Sequence, residues 1–151
     1  MFTRLDHVAM SVQDMERCIA FYRDVIGCEV VFDRTFDEGI ARLIGSPGAQ
    51  VRIVHLQFGK QVLELFDYRQ PQGRPPRADR RQSDYGLTHI GFMVEDFWAT
   101  YRALQAKGVR FLGEAVEIRP GVLVAYFHGA EYEVCEMREI RPGEGEARAH
   151  P

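Results

Sequence analysis

Two histidines and two glutamates carry the chemical interest of this chain of 151 residues. His7 stands in Leu5-Asp6-His7-Val8, and His89 stands in Leu87-Thr88-His89-Ile90. The match continues in register, with Val12 and Asp14 recurring as Val94 and Asp96. Glu64 interrupts the apolar run Leu63-Glu64-Leu65-Phe66, and Glu136 interrupts Val134-Cys135-Glu136-Met137. Taken singly, a strand histidine is most simply a hydrogen-bonded core residue, and a strand glutamate faces solvent. Repetition changes that reading. An ionised carboxylate on an apolar strand is costly unless it is paired or bound to a cation. Two imidazoles and two carboxylates at matching positions could converge at a pseudo-twofold axis. That donor set suits Mn²⁺, Fe²⁺, Co²⁺, Ni²⁺ or Zn²⁺.

The elements that must position these groups follow from the repeat. Residues 5–12 and 87–94 are short strand-like runs. Alternation puts Val8, Met10 and Val12 on one face and Leu5, His7 and Ala9 on the other. In the second copy Ile90, Phe92 and Val94 oppose Leu87, His89 and Gly91. The bulky apolar faces should pack on helices, leaving both histidines on a concave side. Asp14 and Asp96 are placed to start helices. Met15, Cys18, Ile19, Tyr22, Val25 and Ile26 recur at helical spacing, as do Phe97, Tyr101 and Leu104. Gly27 and Gly108 close the helices as left-handed caps. Further strands are predicted at 29–36, 51–58 and 61–67, and again at 109–118, 121–128 and 132–138. Each copy is therefore βαβββ. The fold class is α+β, one domain over residues 1–151. Its first module covers about 4–67, a linker 68–86, its second module 87–139, and a frayed tail 140–151.

Composition excludes several classes. A net charge of −3 argues against a polyanion binder, so no nucleic-acid partner is expected. No stretch approaches the roughly 20 apolar residues of a membrane span. The start of the chain lacks the pattern of a signal peptide. Cys18, Cys28 and Cys135 form no CxxC, so neither a disulfide framework nor a thiolate zinc site is indicated. A reducing, cytoplasmic setting is expected.

The paired Leu-x-His…Asp segments, the run Phe21-Tyr22-Arg23-Asp24-Val25-Ile26-Gly27 and the strand-borne Glu64 and Glu136 resemble the vicinal oxygen chelate superfamily. That superfamily includes glyoxalase, methylmalonyl-CoA epimerase, extradiol dioxygenases and the fosfomycin and bleomycin resistance proteins. The resemblance covers residues 4–139. It implies paired modules forming an incomplete barrel around one divalent metal ion. His7, Glu64, His89 and Glu136 fall on the four ligand positions of members like lactoylglutathione lyase. It also implies lyase or isomerase chemistry by proton transfer on a small metal-chelating oxygenated substrate, and a homodimer. Glu136 is the first choice of base, with Glu64 as a possible second catalytic carboxylate.

Two departures bear on the reaction. Epimerase-like members carry an acid/base glutamate just before the third strand, where this chain has Gly48-Ala49-Gln50, which counts against an epimerase. The usual Asp-Pro-x-Gly-Asn turn before the last strand reads Gly129-Ala130-Glu131-Tyr132-Glu133 here, and Glu131 and Glu133 are expected to be solvated. The main rival is an Fe²⁺ extradiol-type dioxygenase, using His7, His89 and Glu136 alone. In that case His55 or His128 would have to face inward as an acid/base. A second rival is a resistance protein that binds or modifies an antibiotic. Arg69, Arg74, Arg77, Arg80 and Arg81 in the linker could grip an anionic tail but read more simply as a solvated crossover. Tyr68 and Tyr85 flank that loop. Trp98 is expected in helix packing or a dimer contact, and an exposed Phe97 would also fit a dimer. His150 lies in the tail and has no expected role.

Overall fold

The computed structural model describes residues 3–77 and 79–141. The chain divides into two compact units, Met1–Arg77 and Ala78–Pro151. The first runs β1 (His7–Ser11), α1 (Met15–Phe21), a π-helical stretch Tyr22–Ile26, β2 (Glu29–Phe36), α2 (Glu38–Leu43), β3 (Gln50–Phe58) and β4 (Gln61–Gln70). The second runs β5 (Ile90–Met93), α3 (Phe97–Ala106), β6 (Val116–Arg119), β7 (Val122–His128) and β8 (Val134–Ile140). Each unit forms a four-stranded sheet, in the order β1-β4-β3-β2 or β5-β8-β7-β6. In both, the first strand lies parallel to the last and the other pairings are antiparallel. This is the expected pair of βαβββ modules, with α2 added to the first.

The helices begin where the acids predict. Asp14 accepts from Arg17 N at 3.0 Å, and Asp96 accepts from Ala99 N at 2.9 Å. Each caps one of the amide donors that a helix N-terminus leaves unpaired. The two copies then differ by one residue. Gly27 lies thirteen positions after Asp14, but Gly108 lies twelve after Asp96. The extra residue is taken up by the π-helical stretch, where a wider turn absorbs an insertion without moving the helix ends. Both glycines adopt the left-handed conformation, at φ 91° and 78°. A Cβ at Gly27 would meet nothing within 4 Å, so its requirement is conformational alone. Gly27→Ala should therefore cost about 1 kcal/mol in urea unfolding. An unchanged midpoint would contradict that account.

One face of each sheet packs on its helix. Leu63, Leu65, Val54 and Leu56 are buried with Met15, Cys18 and Tyr22 in the first unit. In the second, Cys135, Met137, Ala125 and Phe127 are buried with Phe97 and Leu104. Phe97 is thus a core residue and not an exposed contact, whereas Trp98 beside it is half-exposed. Burial of Cys28 pushes its thiol up to about 11, consistent with an inert core cysteine.

Four expectations need correction. The strand predicted at 109–118 is ordered as a strand only at Val116–Arg119, with a single bridge from Phe111 to Phe127. Phe111 instead packs its ring 4.2 Å from Tyr101, and Gly113 interrupts the run. Helix α2 was not foreseen, because its six residues are too short to show a period. β4 continues to Gln70, into the predicted linker, and β8 continues to Ile140. Glu133 is not simply solvated. Its carboxylate accepts from Ala130 N at 2.7 Å and Glu131 N at 3.1 Å, closing the turn that lacks Gly-Asn. The rest of the predicted tail, with His150, lies outside the described residues. Among those described, no helix is long and apolar enough to cross a membrane.

Candidate functional site

The face opposite each helix carries the polar residues. In the first unit His7 and Ala9 pair with Val62 and Glu64 across the parallel β1–β4 ladder. His7 Nε2 lies 3.4 Å from Glu64 Oε2. In the second unit Gly91 pairs with Glu136 across β5–β8, and His89 directly precedes β5. His89 Nε2 lies 3.1 Å from Glu136 Oε2. Both carboxylates are largely buried, with side chains 12% and 13% exposed. The sequence therefore places one imidazole against one carboxylate in each unit.

The residue before each histidine fixes its other nitrogen. His7 Nδ1–H donates to Asp6 Oδ2 at 3.2 Å, and Thr88 Oγ1 lies 2.9 Å from His89 Nδ1. The bond from His7, reinforced by the charge of Arg4, holds the Asp6 carboxyl below the usual carboxylate range. Such a partner sets the tautomer of a histidine that uses its far nitrogen as a ligand. On the other side of the ring, Nε2 faces a carboxylate oxygen. A nitrogen and a carboxylate oxygen so placed share a proton or a cation between them.

The spacing fits a cation. Two donors each about 2.1 Å from one ion, at 90–109° to each other, stand about 3.0–3.4 Å apart. Both His–Glu pairs fall in that range. Oxygen and imidazole nitrogen form a borderline donor set, suited to the divalent first-row metals. Among the described residues, no group of three or more His, Cys, Asp or Glu side chains is already arranged to hold an ion.

The repeat also exposes residues that the sequence reading undervalued. His55 pairs directly with Glu64 across β3–β4, and its Nε2 lies 3.0 Å from Glu64 Oε1. Its ring stacks on Phe32, centroids 4.5 Å apart. Glu64 is thus bracketed by two imidazoles, one on each oxygen. The matching position in the second unit, opposite Glu136, is Tyr126. Its ring centroid lies 5.0 Å from that of His89. Asp6 and Thr88 were visible as the variable residue of Leu-x-His, and His55 by its shared face with Val51 and Ile53. His128 falls on the face of Tyr126 but pairs with Val134, one step away from Glu136.

Other candidates take structural places. Helix α2 covers one end of the first unit's polar face, where Ile40, Ala49, Val51 and Ile53 pack with Phe32, Phe66 and Tyr68. Tyr85 is fully exposed. Arg80 donates to Leu87 O at 2.9 Å, and Arg81 N donates to Asp84. Those two linker arginines brace their own loop.

Comparison with known proteins agrees with this architecture. The sequence model of the Glyoxalase/Bleomycin resistance protein/Dioxygenase superfamily matches residues 4–127, and the chain belongs to that family. It is 36% identical over 121 residues to a 2-epi-5-epi-valiolone epimerase of Actinomyces sp, covering 76% of this chain and 65% of that protein. It is 29% identical to an ethylmalonyl-CoA/methylmalonyl-CoA epimerase of Cereibacter sphaeroides, covering 93% of this chain and 100% of that one. The chain spans less than two thirds of the length of the valiolone epimerase and of the human methylmalonyl-CoA epimerase, at 65% and 60%. A crystal structure of a glyoxalase family protein from Bacillus cereus superposes with a TM-score of 0.83 at 22% identity, covering 92% and 95% of the two chains.

Proposed function

We propose that this protein is a divalent-metal-dependent isomerase that moves a proton on a small, oxygen-rich substrate. The observation that carries this reading is the doubled His–carboxylate pair, with both histidines held from behind at Nδ1. His7, Glu64, His89 and Glu136 would hold one ion between them. When bound, such an ion stabilises negative charge on a substrate oxygen, which acidifies the neighbouring carbon.

The chain's own groups then divide the work. Glu136 is the base: among the described residues it pairs with one imidazole, while both oxygens of Glu64 face imidazoles. A carboxylate engaged on one side can take a proton from carbon and return it. Removal and return on opposite faces invert the centre, and Glu64 is the second carboxylate available. The matched curated relatives that are named epimerases favour isomerisation. Gly48-Ala49-Gln50 carries no carboxylate, which leaves Glu64 as the candidate for the second proton transfer. The protein is expected to act as a homodimer in the cytoplasm.

The reaction class is tested in deuterium oxide with methylmalonyl-CoA, ethylmalonyl-CoA, 2-epi-5-epi-valiolone and a glutathione hemithioacetal. Deuterium appearing at the reacting carbon without oxygen uptake is expected. Oxygen consumption with a catechol panel under Fe²⁺, and no exchange, would favour the dioxygenase.

His55 has a positioning role in this scheme. By donating from Nε2 to Glu64 Oε1 it directs Oε2 toward His7. His55→Leu should weaken metal binding about 10–100-fold in competition with a chelator. His55→Gln keeps an N–H donor and should restore much of that loss. Equal affinities for both variants and the parent would remove His55 from the account.

A further inference from the structure

Arg138 lies on β8 two residues after Glu136, on the same face of the sheet. Its cross-strand neighbours are Met93 on β5 and Val124 on β7, both apolar. The Nε of Arg138 is buried and has no hydrogen-bond partner, and among the described residues it is the one buried side-chain nitrogen or oxygen in that condition. The acid next to it, Glu139, is used elsewhere: it accepts from Phe97 N at 2.7 Å and lies 3.5 Å from Arg141. A guanidinium on an apolar wall is costly unless an anion meets it.

The repeat shows that this cation is a departure. The first-unit position that matches Arg138 is Phe66, paired with Ser11 as Arg138 is paired with Met93. Phe66 packs into the apolar cluster under α2. The fold therefore needs only a bulky side chain there, and the second unit spends the position on charge.

We infer that Arg138 binds a carboxylate of the substrate, making the preferred substrate an anionic carbon acid. This rests on the proposed isomerase site, since it places that carboxylate beside Glu136. The two Nη ends, which are not closed off as Nε is, present a fork that matches two carboxylate oxygens. Residues i and i+2 of a strand stand about 7 Å apart. A carboxylate on Arg138 therefore puts the adjoining carbons of a short acid within reach of Glu136. A neutral polyol ketone offers this fork oxygen acceptors but no charge, so Arg138 favours the carboxylate over it.

The test follows the Arg138 Nε–H resonance by ¹⁵N NMR during titration with malonate, with uncharged malonamide as control. It is run on zinc-loaded and on chelator-treated protein. Malonate should shift the resonance and malonamide should not. Arg138→Met should weaken malonate binding at least tenfold, and Arg138→Lys should fall between, because it keeps charge without the fork. An unchanged melting temperature shows that each variant is folded. Binding lost with Arg138→Met in both forms of the protein supports the inference, even if the metal reading fails. Binding that needs zinc but ignores Arg138→Met overturns it and leaves the metal reading intact. Equal binding of malonate and malonamide also overturns it.

Discussion

Glu136→Gln should lower deuterium exchange at the substrate carbon by about 10²–10⁴, the usual contribution of a positioned base. Glutamine keeps an oxygen at this position of β8 but is too weak a base to take a proton from carbon. The strand itself should tolerate the change. The side chain shares a face with Val134 and Arg138, while Cys135 and Met137 hold β8 to the core from the other side. Space around Glu136 is set by Gly91, where an added Cβ would stand 3.1 Å from Oε2. Glu64→Gln should cost less in removal of the proton and more in its return. The expected signature is exchange that outpaces inversion. Exchange that survives in Glu136→Gln at the parent rate would move the base elsewhere.

His7→Ala or His89→Ala should abolish stoichiometric metal binding, and the double variant should bind none. Each substitution removes an imidazole whose far nitrogen is already anchored, at Asp6 or beside Thr88. Among the described residues it also leaves a mostly buried carboxylate without its imidazole partner, at Glu136 entirely and at Glu64 in part. The two losses should therefore differ. His89→Ala strands Glu136, whereas His7→Ala leaves Glu64 still facing His55. Melting temperature without metal should fall further for His89→Ala. Full metal occupancy in both variants would remove the histidines from the ligand set.

Much of this was legible because the chain is duplicated. A match at His7 and His89 fixes strand register in both copies at once, and a register fixes every face. That is why Glu64 and Glu136 could be set opposite buried Leu65 and Met137 before any coordinates. The N-caps at Asp14 and Asp96 were legible for a local reason: a short acceptor side chain ahead of an apolar period. What the sequence hid was non-local. That His55 stands directly across from Glu64 depends on where the β3–β4 hairpin turns, and a lone histidine on an apolar strand carries no sign of its partner. Helix α2 is six residues, and the segment 109–115 is apolar without pairing along its length. Short or irregular pieces of this kind take their shape from what they pack on. Glu133 filling the role of a Gly-Asn turn is a further case, since a surface glutamate seldom serves its own loop.

The proposal that His7, Glu64, His89 and Glu136 hold one divalent ion is the central one to test. The most direct measurement is the metal content of protein purified without chelators, combined with the coordination seen at the metal absorption edge. The account predicts one divalent ion per chain, bound by two imidazole nitrogens and two carboxylates. Two ions per chain, or one ion with a single imidazole, would mean that each His–Glu pair acts alone, and would contradict it.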